Sequence, residues 1–129
     1  MAPQRLLLAD DHALFRDGLA RLFGYEDDFD VVGEADSTSS AVEATLRLQP
    51  DLVLMDLKMP GIGGLGFLLR LRSDPRYGRI PVAIMTGDCL LPHPVQVAAE
   101  KLNAQVHFKP IDIDQLYDLT TQLLHTYSH

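Results

Sequence analysis

The sequence predicts an α/β domain in which a five-stranded parallel sheet is covered by five helices. Two observations carry that expectation. Short apolar runs of strand length alternate along the chain with apolar residues at helical spacing. Those runs are apolar on successive residues, not on every second one, which is the pattern of strands buried on both faces. Strict alternation of strand and helix makes parallel pairing with helical crossovers the simplest arrangement. A length of 129 residues fits one domain, residues 1–129, with enough chain to bury a core unaided by metal or disulfide.

Each element has its own signal. Leu6 to Ala9 is the first apolar run. Leu14, Phe15, Gly18, Leu19, Leu22 and Phe23 then follow at helix spacing. Val31 and Val32 sit in a short second strand that runs to Ala35. Asp36 and Ser37 offer caps for a second helix, with Val42, Thr45 and Leu46 on its packed side. Leu52 to Met55 is a third run and ends at Asp56. A turn rich in Gly and Pro spans Lys58 to Gly64, and Leu65, Leu68, Leu69 and Arg72 return to helix spacing. Ser73, Asp74 and Pro75 end that helix, because proline disfavours the helical conformation in the residue before it. Pro81 to Thr86 is the fourth run. Pro92 and Pro94 are expected to delay or break the next helix, which Val95, Ala98, Ala99 and Leu102 mark. Val106 to Phe108 makes a fifth strand, ending at Lys109 and Pro110. The last helix has a capping box in Asp112 and Gln115 and a hydrophobic staple in Ile111 and Leu116. Leu119, Leu123 and Leu124 extend its packed face.

Composition narrows the function. The net charge of −7 and the lack of any basic run oppose direct contact with nucleic acid or anionic lipid. No apolar stretch approaches the ~18 residues of a membrane span, and the first run is too short for a signal peptide. The single cysteine, Cys89, excludes an intrachain disulfide and suits a reducing cytoplasm.

In a parallel sheet, ligands bind beyond the carboxyl ends of the strands. Asp10 and Asp11 end the first strand, Asp56 the third, Thr86 the fourth and Lys109 the fifth, so the topology gathers them at one edge. Three carboxylates there repel one another unless a cation neutralises them. Oxygen donors of this kind suit Mg²⁺, which favours one or two carboxylates together with a phosphate. A carboxylate can also act as nucleophile in phosphoryl transfer and form an acyl phosphate. The Lys109 ammonium and the Thr86 hydroxyl would then stabilise the phosphoryl oxygens. Taken singly, each of these residues reads as a turn, cap or surface group; the joint placement carries the argument. The five histidines, His12, His93, His107, His125 and His129, show no metal-ligand spacing and read as surface or structural residues, with His12 nearest the acidic pair.

These residues lie in segments that together resemble the receiver domain of two-component response regulators. The segments are Leu8 to His12, Pro50 to Asp56, Met59 to Gly61 with Gly64, Ile80 to Thr86, and Phe108 to Pro110. The resemblance covers nearly the whole chain and implies a flavodoxin-like sheet of strand order 2-1-3-4-5. It implies that Asp56 accepts a phosphoryl group from a sensor histidine kinase or a histidine phosphotransfer protein. It also implies Mg²⁺ held by Asp11, Asp56 and the Lys58 main-chain carbonyl, with Asp10 acting through water. Lys109 would pair with the phosphoryl group, Thr86 would act as the switch, and the bond before Pro110 would be cis. Implied partners are a downstream protein or fused output domain, and a homodimer linked to phosphorylation. The start from Asp10 to Leu19 is similar to the NarL-type class, whose members usually carry a C-terminal helix-turn-helix domain. No such domain follows here, which suits either a stand-alone regulator or a fragment.

One departure bears on switching. The family commonly has an aromatic residue three positions before the lysine, and this chain has Val106. The coupling between Thr86 and the output face is therefore expected to differ. Two other functions compete with a phosphorylated switch. A pseudo-receiver that binds proteins without phosphorylation would not need the retained Asp10, Asp11, Asp56, Thr86 and Lys109. A phosphatase or phosphotransferase acting through an aspartyl phosphate usually needs a second acid two residues after the nucleophile, where Lys58 stands.

Overall fold

The computed structural model describes residues 3–25, 27–56, 61, 63–76, 78, 80–86 and 93–108. Within them, strand and helix alternate as β1 (Gln4–Ala9), α1 (Ala13–Gly24), β2 (Phe29–Ala35), α2 (Thr38–Leu48), β3 (Leu52–Asp56), α3 (Gly63–Arg72), β4 (Val82–Thr86), α4 (His93–Lys101) and β5 (Ala104–Phe108). The strands form one sheet of order β2-β1-β3-β4-β5, and every neighbouring pair is parallel. The expected helix over 112–124 lies outside the described residues.

The successive apolar residues of the strands serve two cores. Leu7, Ala9, Val53, Met55, Val82 and Ile84 face a layer made by Ala41 and Ala44 of α2, Phe67, Leu68 and Leu71 of α3, and Ala99 of α4. The alternate residues Leu6, Leu8, Leu52, Leu54, Ala83 and Met85 face Leu19 and Phe23 of α1. Phe23 meets Phe29 edge to face at 5.0 Å. Each fully buried Leu or Phe contributes about 1.5–3 kcal/mol by leaving water, so the central strands anchor the sheet from both sides.

Several boundaries differ from the expectation. β1 begins at Gln4, before the apolar run, because Gln4 and Arg5 pair with Phe29 and Asp30 although both are half-exposed. β5 begins at Ala104 and not at Val106; Asn103 turns the chain into it at φ 60°, a left-handed conformation that Asn tolerates. Pro94 does not delay α4 but is its second residue, where no intrahelical N–H bond is required. Ser37 is the N-cap of α2, with a reciprocal bond to Ser40. Leu14 and Leu22 share the spacing of α1 yet are 89% and 41% exposed. At about 100° per residue the apolar set on α1 is wider than the stripe the sheet covers, and these two fall on its flank. Leu46 and Leu69 are exposed for the same reason, while Thr45 is fully buried.

Candidate functional site

All parallel strands deliver their carboxyl ends to one edge. β1 has β2 on one side and β3 on the other, so the connections leave it in opposite directions and open a crevice between β1 and β3. Asp10 follows β1 directly, and its amide donates to the Ala35 carbonyl at 2.9 Å, extending the pairing to the rim. Asp56 is the last residue of β3 and Thr86 the last of β4.

Asp10 is fully buried and Asp56 is 3% exposed, whereas Asp11 is exposed. Burying carboxylates this close together is costly without compensating donors or a cation. Part of the compensation comes from the start of α1. The His12 amide donates to Asp10 Oδ1 at 2.7 Å. His12 is the N-cap residue, yet its side chain makes no capping bond. Its Nδ1 instead lies 3.1 Å from Asp10 Oδ1, 3.2 Å from Asp11 Oδ1 and 3.5 Å from Asp56 Oδ2. One turn further on, the Arg16 guanidinium donates to the Asp10 main-chain carbonyl and to Glu34 Oε1, the latter at 2.9 Å. The guanidinium thereby ties the loop that carries the acids to β2.

Asp10, Asp11, His12 and Asp56 each present one ligand atom, all within 4.8 Å of one another. Three carboxylates converging at that distance form a hard oxygen donor set of the kind that suits Mg²⁺, an ion that keeps several waters.

The structure therefore brings Asp10, Asp11 and Asp56 together as the topology required. Thr86 is 1% exposed on the adjacent strand, one position beyond the Asp56–Met85 pairing. Val106 is half-buried, pairs with Ile84 and packs against the core shared with α2, α3 and α4. Lys58, Lys109 and Pro110 lie outside the described residues. Arg16 is a site residue that sequence reasoning missed, and His12, placed nearest the acidic pair but read as surface or structural, joins the cluster. The available signal was position: His12 follows the acidic pair directly, and Arg16 is one helical turn after it.

A family description, the response regulator receiver domain, matches residues 6–121. The response regulator GacA of Pseudomonas viridiflava is 44% identical over 85 residues, covering 65% of this chain and 40% of that protein. The nitrate/nitrite response regulator protein NarL of Escherichia coli is 44% identical over 80 residues, covering 62% of this chain and 37% of that protein. The chain thus spans about two fifths of the length of these curated relatives. A LuxR-family two-component response regulator from an Aurantimonas species superposes with a TM-score of 0.84 at 27% identity, covering 96% of this chain and 86% of that one. The signal receiver domain of the NarL regulator of Mycobacterium tuberculosis shares the fold, with a TM-score of 0.82 at 24% identity over 99% of this chain and 98% of that one. With the family's match running through both cores and the acidic rim, this chain belongs to the response regulator receiver domains, the phosphorylation-based signalling modules of two-component systems.

Proposed function

We propose that this chain is a switch that takes a phosphoryl group onto Asp56, from a sensor histidine kinase or a histidine phosphotransfer protein. The observation that carries the reading is a nearly buried Asp56 at the end of the central strand, with ligand atoms of Asp10 and Asp11 within 4.8 Å of it. A carboxylate oxygen of Asp56 attacks the phosphorus in line, the bond from phosphorus to the donor's imidazole nitrogen breaks, and an acyl phosphate forms. Asp11, Asp56 and the Lys58 main-chain carbonyl would hold Mg²⁺ directly, and Asp10 through water. When bound, the ion supplies positive charge opposite the phosphoryl oxygens. Lys109 pairs with those oxygens from the other side, and the Thr86 hydroxyl donates to one of them as the switch. Val106 replaces the usual aromatic partner of that switch, so Thr86 signals through a smaller side chain. The protein catalyses only its own phosphorylation and hydrolysis.

In this reading residues 1–129 act as one unit in the cytoplasm. They pass the signal to a downstream protein or a fused output domain, and phosphorylation would favour a homodimer. The net charge of −7 supports output through protein contacts and not through nucleic acid. Among the described residues, no helix is long and apolar enough to cross a membrane.

The test is intact mass after incubation with Mg²⁺ and acetyl phosphate, beside an Asp56→Asn control. A phosphoryl adduct that needs Mg²⁺ and disappears in the control is the expected result. No adduct in the native sequence would favour a phosphorylation-independent binding module.

A further inference from the structure

We propose that His12 is itself a ligand of the cation site, which opens the site to divalent transition ions of the zinc class beside Mg²⁺. The inference rests on the reading that Asp10, Asp11 and Asp56 hold a cation, and goes beyond it by adding a nitrogen donor.

Three observations support the added donor. His12 stands at the N-cap of α1 in an extended conformation, φ −89° and ψ 95°, yet its side chain makes no capping bond. The ring gives up the capping role that this position invites and lies beside the acids instead. Its Nδ1 then lies 3.1, 3.2 and 3.5 Å from one oxygen of each of three separate carboxylates.

Those spacings, set by hydrogen bonding and ion pairing in the ion-free chain, are also close to the ligand spacings of a small coordination shell. Zinc binds imidazole nitrogen and carboxylate oxygen at about 2.0–2.2 Å, so neighbouring ligand atoms of a tetrahedron stand about 3.3–3.6 Å apart. The distances from Nδ1 to the acids fall at or just below that range before any ion draws the groups together. In the ion-free chain Nδ1 is hydrogen-bonded to Asp10 Oδ1 at 3.1 Å, so an ion bound there takes the place of the Nδ1 proton, and Nε2, on a ring that is 67% exposed, carries the proton of the neutral imidazole.

The donor set sets the preference. Mg²⁺ favours oxygen ligands and retained water and gains little from an imidazole. Zn²⁺, Co²⁺ and Ni²⁺ bind imidazole well and accept carboxylate beside it. A site with three carboxylates and His12 thus discriminates between the two classes through one side chain. An ion held by His12 as well as by the acids has fewer positions left for a phosphoryl oxygen, so such ions would compete with phosphorylation.

The experiment is calorimetric titration of the full chain with Zn²⁺ and, separately, with Mg²⁺. The visible absorption of Co²⁺ serves as a second readout, because a four-coordinate nitrogen and oxygen shell absorbs more strongly than the hydrated ion. The proteins compared are the native sequence, His12→Ala, His12→Gln and Asp11→Asn. The expected result is that both His12 variants lose tenfold or more of the preference for Zn²⁺ over Mg²⁺ and the intense Co²⁺ band, and that Asp11→Asn weakens both metals. A Zn²⁺ to Mg²⁺ preference unchanged within twofold in the His12 variants overturns the proposal. So does Zn²⁺ binding that survives Asp11→Asn undiminished, which would place the ion on other histidines. The phosphorylation reading is judged separately by the Mg²⁺-dependent adduct of the native sequence, so a normal adduct beside unchanged His12 titrations sinks only the present inference.

Discussion

Thr38 and Gly61 are close neighbours, and they make opposite predictions. Thr38 is 2% exposed and its hydroxyl has no hydrogen-bond partner among the described residues. A buried, unsatisfied hydroxyl costs about 1–3 kcal/mol, so the near-isosteric Thr38→Val is expected to raise stability by roughly 1 kcal/mol. Gly61 has φ +103°, and a methyl added there would lie 3.2 Å from Thr38 Cβ and 3.3 Å from its Oγ1. Gly61→Ala is therefore expected to cost about 1–3 kcal/mol, through backbone strain and contact together. Urea denaturation of both variants checks the signs; two shifts in the same direction would contradict this account. Legibility at this scale followed the backbone. Asp10, Asp56 and Thr86 were legible because strand ends in a parallel sheet have fixed places. His12 was not, because its role depends on which way a ring turns at a helix start.

The helices owe their bounds to a few polar contacts. In α2, Ser37 Oγ accepts from the Ser40 amide at 3.2 Å, and Ser40 Oγ accepts from the Ser37 amide at 3.1 Å. Ser37→Ala should cost about 1 kcal/mol, the usual worth of an N-cap, and thermal melting reads it directly. Arg72 at the end of α3 does more. Its Nε donates to the Leu102 carbonyl at 2.8 Å, and its Nη1 donates to those of Gly78 and Ile80 at 2.9 and 2.7 Å. One guanidinium thus fastens the approach to β4 and the turn after α4. Arg72→Lys cannot reproduce the planar fork, so both Arg72→Lys and Arg72→Ala are expected to lose about 2–4 kcal/mol in urea unfolding. A loss below ~0.5 kcal/mol in Arg72→Ala would show that the clamp contributes little. Periodicity identified Arg72 only as a helical position, because its acceptors are main-chain carbonyls six, eight and thirty residues further on, which no side-chain pattern reveals. Pro94 misled the reading of α4 for a related reason: the same residue breaks a helix interior and suits its first turn.

At the scale of the whole molecule, the acidic rim sets stability against function. The sheet delivers Asp10, Asp11 and Asp56 to one crevice, two of them buried, and the chain as a whole already carries a net charge of −7. In the proposed reading this cluster serves the ion it would bind and not the stability of the fold. Asp11→Asn removes one like charge from the crevice while keeping the side chain's shape. Without divalent ions the variant should be more stable than the native sequence by about 1 kcal/mol, since like charges a few ångströms apart repel even when partly screened. With Mg²⁺ the order should reverse. An ion that binds only the folded chain, at a hundred times its Kd, stabilises it by about 2.7 kcal/mol, a rise on the order of 10 °C in Tm for a domain of this size. Asp11→Asn should forfeit most of that rise. Scanning calorimetry of both proteins, with and without Mg²⁺, reads the crossing as two pairs of Tm values. If the native Tm does not respond to Mg²⁺ and Asp11→Asn melts at the lower temperature throughout, the carboxylates are stabilising the fold and not waiting for a cation. A crossing would identify them as a site whose repulsion is offset only when the ion is bound.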